Sequence, residues 1–228
     1  MQTYSLKSLE GRLLLVGTIL ASGMAFLDGT VVTIAIPTMQ SHFHATLGDI
    51  QWIVNGYALM LTSLLLISGA LGDRFGRKKV FLYGIALFTF SSFLCALSGT
   101  ITQLIFFRFL QGLGAAMMIP GSLSIINASF NTEVRGTAIG LWSGFAGGVA
   151  ALGPFLGGWL VQTLGWQSIF YINIPLGIVS LLITLRFVPE THQKQSQKVD
   201  ILGTTFVFLG LFGIVYGLIE GSVLGWTH

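Results

Sequence analysis

The chain has 228 residues, of which 53% are hydrophobic and only 8% charged, with a net charge of +3. Its eleven Lys and Arg are spread along the chain and not gathered on one face, which argues against a nucleic-acid binder, and its single cysteine, Cys95, rules out a disulfide framework or paired-thiolate metal site. So apolar a composition, broken by short polar connections, is that of an all-α membrane protein.

Seven apolar stretches are each long enough to cross a bilayer, which takes about 20 helical residues at about 1.5 Å rise. In chain order they are predicted at Leu13 to Ile36, Gln51 to Leu71, Val80 to Leu97, Gln103 to Ala128, Thr137 to Leu160, Ser168 to Val188 and Ile201 to Gly221. Residues 1–12 precede the spans, and 13–188 form a six-helix unit. Residues 189–199 (PETHQKQSQKV) are a polar linker opened by a proline, and 200–228 hold the seventh span and its end. The basic start and apolar run of Met1 to Leu27 resemble a signal peptide, but no small-residue cleavage site follows, so the first span is predicted to be retained.

The cations fall in alternate connections. Lys7 and Arg12 precede the first span; Arg74, Arg77, Lys78 and Lys79 follow the second; Arg135 follows the fourth; Arg186, Lys194 and Lys198 end or follow the sixth. The connections at Pro37 to Ile50, Ser98 to Thr102 and Val161 to Gln167 contain none. By the positive-inside rule the N-terminus is predicted to be cytoplasmic, those three connections external, and His228 external after an odd number of spans.

Polar residues inside the spans carry the functional expectation, because a charge in hydrocarbon is costly and normally faces a cavity or a partner. Asp28 is the only acid deep within the first six spans and Arg108 the only base. Counted from the external ends, they lie about 13 Å and about 8 to 9 Å deep, at similar height. They read either as a structural ion pair or as a protonatable carboxylate and a fixed guanidinium that couple protons to conformational change. Arg108, Gln111, Gly112 and Ala115 share one helical face, as do Asn55 and Thr62, with Gln51 one turn earlier. These point either to a wet central cavity with apolar walls or to hydrogen bonds between helices. Gly136, Gly140, Gly144 and Gly148 form a stripe expected to let neighbouring helices approach closely, followed by a bend at Gly153 and Pro154. His42 and His44 have no third or fourth ligand nearby, and no metal or other cofactor is expected. Nor is an enzyme, since no nucleophile and base pair or phosphate loop appears.

Several motifs go further. Gly69-Ala-Leu-Gly-Asp73-Arg74-Phe-Gly76-Arg77-Lys78-Lys79 resembles the G-x-L-A-D-R-x-G-R-[RK] signature of the major facilitator superfamily, in the cytoplasmic connection where that family carries it. Arg108-Phe-Leu-Gln111-Gly112-Leu-Gly114 resembles the family's R-x-x-Q-G-x-G, and Gly153-Pro154-Phe-Leu-Gly157-Gly158 is similar to the G-P-x-x-G-G of its antiporters. Leu27-Asp28-Gly-Thr30 to Pro37 and Trp166 to Gly177 look like the fourteen-span drug:proton antiporter branch. The resemblance covers essentially the whole chain. It implies the N-terminal six-helix bundle of that fold plus a seventh transmembrane helix. It also implies proton coupling through Asp28 and Arg108, an antiporter bend at Gly153, Pro154, Gly157 and Gly158, and a cytoplasmic latch of Gly69, Asp73, Arg74, Gly76, Arg77 and Lys78, its carboxylate next to a helix N-terminus. Asn55, Thr62, Gln111 and Gly112 are expected to line the substrate cavity.

Family members rock two such halves around a midplane site, whereas this chain supplies one, so it is expected to transport nothing alone. The function implied is proton-coupled efflux of amphipathic drugs or other small molecules across a bacterial cytoplasmic membrane. Its partners would be protons, the small-molecule substrate, the lipid bilayer and a second transporter half or a second copy, with no nucleic acid. A truncated gene product cut near His228 and a non-transporting membrane partner are the alternatives.

Overall fold

A computed structural model describes residues 4–191 and 201–224. Nine helices form among the described residues: α1 (Leu9–Phe43), α2 (Leu47–Phe75), α3 (Arg77–Ala96), α4 (Ile101–Ser129), α5 (Thr132–Ala151), α6 (Gly153–Leu164), α7 (Ser168–Tyr171), α8 (Asn173–Phe187) and α9 (Ile201–Leu224). With α5–α6 and α7–α8 each counted as one interrupted rod, six segments among the described residues of α1 to α8 are long and apolar enough to cross a membrane. Their outward faces are apolar too, with Leu66, Tyr83, Phe106, Phe155 and Leu182 all exposed, the pattern of helices solvated by lipid.

The helices outrun the predicted spans. The connection predicted at Pro37 to Ile50 is mostly helix, because α1 continues through Pro37 to Phe43. It stops where His44 adopts φ 50° and the Ala45 N–H bonds back to the Gln40 carbonyl 3.1 Å away. After this two-residue turn, Thr46 and Asp49 cap α2 reciprocally, each side chain accepting from the other's backbone N–H at 3.2 and 2.9 Å. The cytoplasmic connection predicted over Gly69 to Lys79 likewise shrinks to one residue, Gly76, between α2 and α3. Gly76 has φ 110°, a conformation that disfavours any side chain, so glycine is what permits so tight a turn.

Span five is interrupted where the bend is expected: α5 ends at Ala151 and α6 begins at Gly153, with Pro154 in its first turn. A similar break, not predicted, divides span six at Ile172, so that Asn173 opens α8. The seventh predicted span is a 24-residue helix that packs along α2, where Trp52 lies 6.0 Å from the Phe212 ring and 6.1 Å from the Tyr216 ring. Of the predicted linker, 192–199 lies outside the described residues, as do Lys194, Lys198 and His228.

α4 packs most extensively against α2 and α3, and α1 is sandwiched among α4, α5, α6 and α8. Gly114 makes the α3–α4 approach possible, since a Cβ there would lie 2.6 Å from the Phe88 amide nitrogen. The predicted glycine stripe of α5 behaves otherwise. Gly136, Gly140, Gly144 and Gly148 have nothing within 4 Å of where a Cβ would stand, and the face that packs on α1 is Ala138, Trp142 and Ala146. Four-residue spacing marks a face, but not which face is buried.

Two apolar clusters fill the bundle. One, with Leu14, Phe81, Phe88, Ile125, Phe130 and Trp142, lies toward the N-terminal end of α1; the other, with Val31, Met39, Ile53, Leu104, Trp166 and Phe170, lies toward its C-terminal end. Between them, at the level of Asp28, Ser92 and Arg108, the interior turns polar.

Candidate functional site

Helical spacing assembles this polar layer. Asp28 projects from α1, Ser92 and Cys95 from α3, Arg108 and Gln111 from α4, and Asn173 from the start of α8, all at 1% exposure or less. Arg108 Nη1 donates to Asp28 Oδ2 in a buried ion pair. Two charges taken out of water need such pairing, since an unpartnered one would cost several kcal/mol. The other carboxylate oxygen, Oδ1, accepts from Gln111 Nε2 at 2.9 Å and from Asn173 Nδ2 at 3.4 Å.

Further hydrogen bonds fix these groups. Arg108 Nη1 also donates to Gln111 Oε1 at 2.8 Å, and its Nε donates to the Ile53 carbonyl at 3.1 Å. The guanidinium carbon stands 4.3 Å from the Tyr57 ring centroid, a cation–π contact, while the Tyr57 hydroxyl donates to the Ala25 carbonyl at 3.0 Å. The Ser92 hydroxyl donates to the Phe170 carbonyl at 3.0 Å and accepts from Gln111 and Asn173 at 3.2 and 3.0 Å. Every side chain that bonds Asp28 is thus a donor, which suits a carboxylate and leaves a carboxylic acid no acceptor. Asp28, Arg108 and Gln111 were legible in the sequence as a group. Ser92 was not, and Asn173 appeared only within a matching motif, because neither lies on a polar stripe of its own helix.

The other predicted cavity residues are placed differently. Thr62 is exposed and its hydroxyl donates to the Ala58 carbonyl of its own helix at 2.8 Å, and Asn55 is half-buried. Gly112 is buried at the α2–α4 crossing, where a Cβ would collide with the Tyr57 carbonyl and stand 3.0 Å from Met60 Cβ. At the bend, a Cβ on Gly153 would collide with the Thr30 hydroxyl, and one on Gly157 would lie 3.3 Å from Val31 Cα, so both let α6 approach α1; Gly158 faces open space.

The predicted latch residues lie together at the opposite end of α2 and α3 from the Thr46 cap. Arg77 Nε donates to Asp73 Oδ1 at 2.8 Å, bridging the Gly76 turn, and Arg77 Nη1 reaches the Ser124 carbonyl of α4 at 3.4 Å. Lys78 Nζ donates to the Leu185 carbonyl at 2.8 Å, Arg74 is exposed, and the site of a Cβ on Gly69 is open. The carboxylate expected at a helix N-terminus is corrected: Asp73 belongs to the last turn of α2, and the acid that meets the start of α3 is Glu190. Its Oε1 accepts from the Lys78 backbone N–H at 3.1 Å, where the helix dipole favours negative charge. Glu190 lay in the predicted linker, with no local signal of this contact. Close by, the Tyr4 N–H donates to the Ser129 carbonyl at 2.8 Å, so the starts of α1, α3 and α5 and the ends of α2, α4 and α8 share one end of the bundle. The described cations other than Arg108 all belong to that end.

The comparisons with known proteins agree with this architecture. The family model described as Major Facilitator Superfamily matches residues 18–226. Over 204 residues the chain is 43% identical to the methylenomycin A resistance protein of Bacillus subtilis (strain 168), covering 89% of this chain and 44% of that protein. It is 41% identical over 204 residues to the tetracenomycin C resistance and export protein of Streptomyces glaucescens, covering 89% and 38%. The chain spans less than half the length of these curated relatives. Among solved structures, a mutant of a peptide transporter POT crystallised with sulfate superposes with a TM-score of 0.73 at 14% identity, over 100% of this chain and 49% of that one, which speaks to the fold alone.

Proposed function

Because the chain belongs to the Major Facilitator Superfamily, a family of transporters, we propose that it forms one six-helix half of a proton-coupled antiporter that expels amphipathic small molecules, with Asp28 and Arg108 carrying the coupling. The observation behind this reading is the buried Asp28–Arg108 pair set in a polar layer between two apolar clusters and held by groups of α2 and α8 besides Gln111 of α4 itself. Its relatives' names, resistance and export among them, supply the substrate class.

A proton taken up by Asp28 removes the charge that holds Arg108. The freed guanidinium then needs another partner, and that need favours a rearrangement of α4 against α1. Gln111 bonds both members of the pair and so senses the proton on Asp28. Asn55 and Thr62 of α2 would face the substrate path once a second bundle closes the cavity, while Gln111 and Gly112 of α4 lie behind them, in the polar layer and at the α2–α4 crossing. The second bundle corresponds to the part of its relatives' length that this chain does not span. The Gly153–Pro154 break gives α5 and α6 freedom to hinge. Gly69, Asp73, Arg74, Gly76, Arg77 and Lys78, joined by Glu190, form the latch at the basic end. Under the positive-inside rule that end is cytoplasmic, with the chain in the bacterial cell membrane.

The test is transport in everted vesicles carrying the chain alone or together with the C-terminal portion of the Bacillus subtilis relative, using methylenomycin A and tetracenomycin C as probes. Proton-driven uptake of either probe with the second bundle, lost in Asp28→Asn, is the expected outcome. Proton-driven uptake that Asp28→Asn leaves intact would remove Asp28 from the coupling role, and uptake by the chain alone would remove the need for any other polypeptide.

A further inference from the structure

The Asn173 side chain is fully buried, and its two ends are unequally served. Nδ2 donates to Asp28 Oδ1 at 3.4 Å and to Ser92 Oγ at 3.0 Å, whereas Oδ1 is buried with no hydrogen-bond partner. Leaving an acceptor orphaned in the interior is costly, so the arrangement is stable only while the other end is held. What holds it is the bond to Ser92 Oγ together with the longer one to the negative charge of Asp28.

We propose that Asn173 is a positioning residue that follows the protonation of Asp28 by turning its amide over, offering Nδ2 to the carboxylate and Oδ1 to the carboxylic acid. The inference rests on the proton-coupling reading of Asp28. The step is simple in its atoms: a hydronium ion gives one proton to a carboxylate oxygen of Asp28, its O–H bond breaking to leave water, the amide rotates about its Cβ–Cγ bond, and no other covalent bond changes. The new acid O–H is a donor in a cage of donors. Gln111 cannot supply the acceptor without loss, because its Oε1 already takes hydrogen bonds from Arg108 Nη1 at 2.8 Å and from Cys95 Sγ at 3.7 Å. Ser92 is committed as donor to the Phe170 carbonyl at 3.0 Å, and Tyr57 as donor to the Ala25 carbonyl at 3.0 Å. The orphaned Asn173 Oδ1 is uncommitted. Turning over exchanges an orphaned acceptor for an orphaned donor, gives up the bond to Ser92 Oγ and gains the one to the acid, so the charge on Asp28 selects between the two orientations.

The titratable and charged groups facing Asp28 are Arg108 from α4, Tyr57 from α2 and Cys95 from α3; α7 and α8 contribute no ionisable group there. Arg108 is a fixed charge and the other two face Asp28 as neutral groups, which leaves Asp28 itself as the group whose change of charge the amide can follow.

The experiment is infrared difference spectroscopy of the full chain in lipid nanodiscs, between acidic and alkaline buffer, with isotope-labelled asparagine. The chain has four asparagines, so the Asn173 amide band is assigned by its loss in Asn173→Leu. Should that variant not fold, replacing Asn55, Asn127 and Asn131 by Gln leaves Asn173 as the sole labelled residue. The expected result is an Asn173 amide shift with the same pH midpoint as the carboxylic-acid band of Asp28, and no such shift in Asp28→Asn. An Asn173 band that stays fixed while the Asp28 acid band appears overturns the proposal and leaves proton coupling standing. Absence of any Asp28 acid band overturns both.

Discussion

At the residue scale the Asp28–Arg108 pair is a liability that only its surroundings make tolerable. Replacing Arg108 by Leu strands the Asp28 charge in the core and is expected to destabilise the bundle by about 3–5 kcal/mol. The double variant Asp28→Leu/Arg108→Leu strands nothing and should lose less than the sum of the two single changes, by about 0.5–3 kcal/mol. Denaturant unfolding in mixed micelles, followed by the fluorescence of the buried Trp142 and Trp166, measures both; strict additivity would show that the two side chains do not sense each other. The sequence made this pair legible because charges inside apolar spans are conspicuous. It did not show Ser92, since serine is common in helices and becomes informative only once α3 is placed beside α4 and α8.

At the element scale, chain connectivity is tighter than charge and hydropathy imply. Hydropathy ends a span where polar residues begin, but α1 and α2 run on past that point because caps and turns, not lipid, end a helix: His44 closes one, and Thr46 with Asp49 opens the next. The latch motif was recognised as a loop for the same reason, whereas only Gly76 lies outside the helices. Gly76→Ala places a side chain at φ 110° and 2.7 Å from Glu190 Oε1, and is expected to cost about 1–3 kcal/mol in the same unfolding assay. Gly140→Ala is the contrast. Its Cβ meets nothing, so the change should be neutral or stabilising by up to about 1 kcal/mol through helix propensity alone. A clear loss at Gly140 would mean that the stripe is packed against something in the assembled protein. The bend at Gly153 was readable from Gly-Pro; the break at Ile172 was not, because it precedes Pro175 by three residues and resembles an ordinary helix start.

At the scale of the whole molecule, the one-sided distribution of cations becomes a physical end of the bundle, at which the first turns of α1, α3 and α5 meet the last turns of α2, α4 and α8. Which side of the membrane this end faces is open to a direct check. In a Cys95→Ala background, a membrane-impermeant maleimide applied to intact cells should label Gly99→Cys at the opposite end and spare Lys79→Cys at the basic end; the reverse pattern would invert the proposed topology. The long-range order of the molecule, including the packing of α9 on Trp52, was outside the reach of composition, which fixes that a helix is apolar but not its neighbour.

The central claim is that Asp28 exchanges a proton while the bundle stays folded. The most direct measurement is the carboxyl carbon-13 resonance of aspartate-labelled chain in nanodiscs, assigned to Asp28 by its loss in Asp28→Asn and followed from alkaline to acidic buffer. The account predicts that this resonance moves from the carboxylate to the carboxylic-acid position within the range where the fold persists. A resonance that remains at the carboxylate position until the protein unfolds would make Asp28 and Arg108 a structural ion pair and contradict the account.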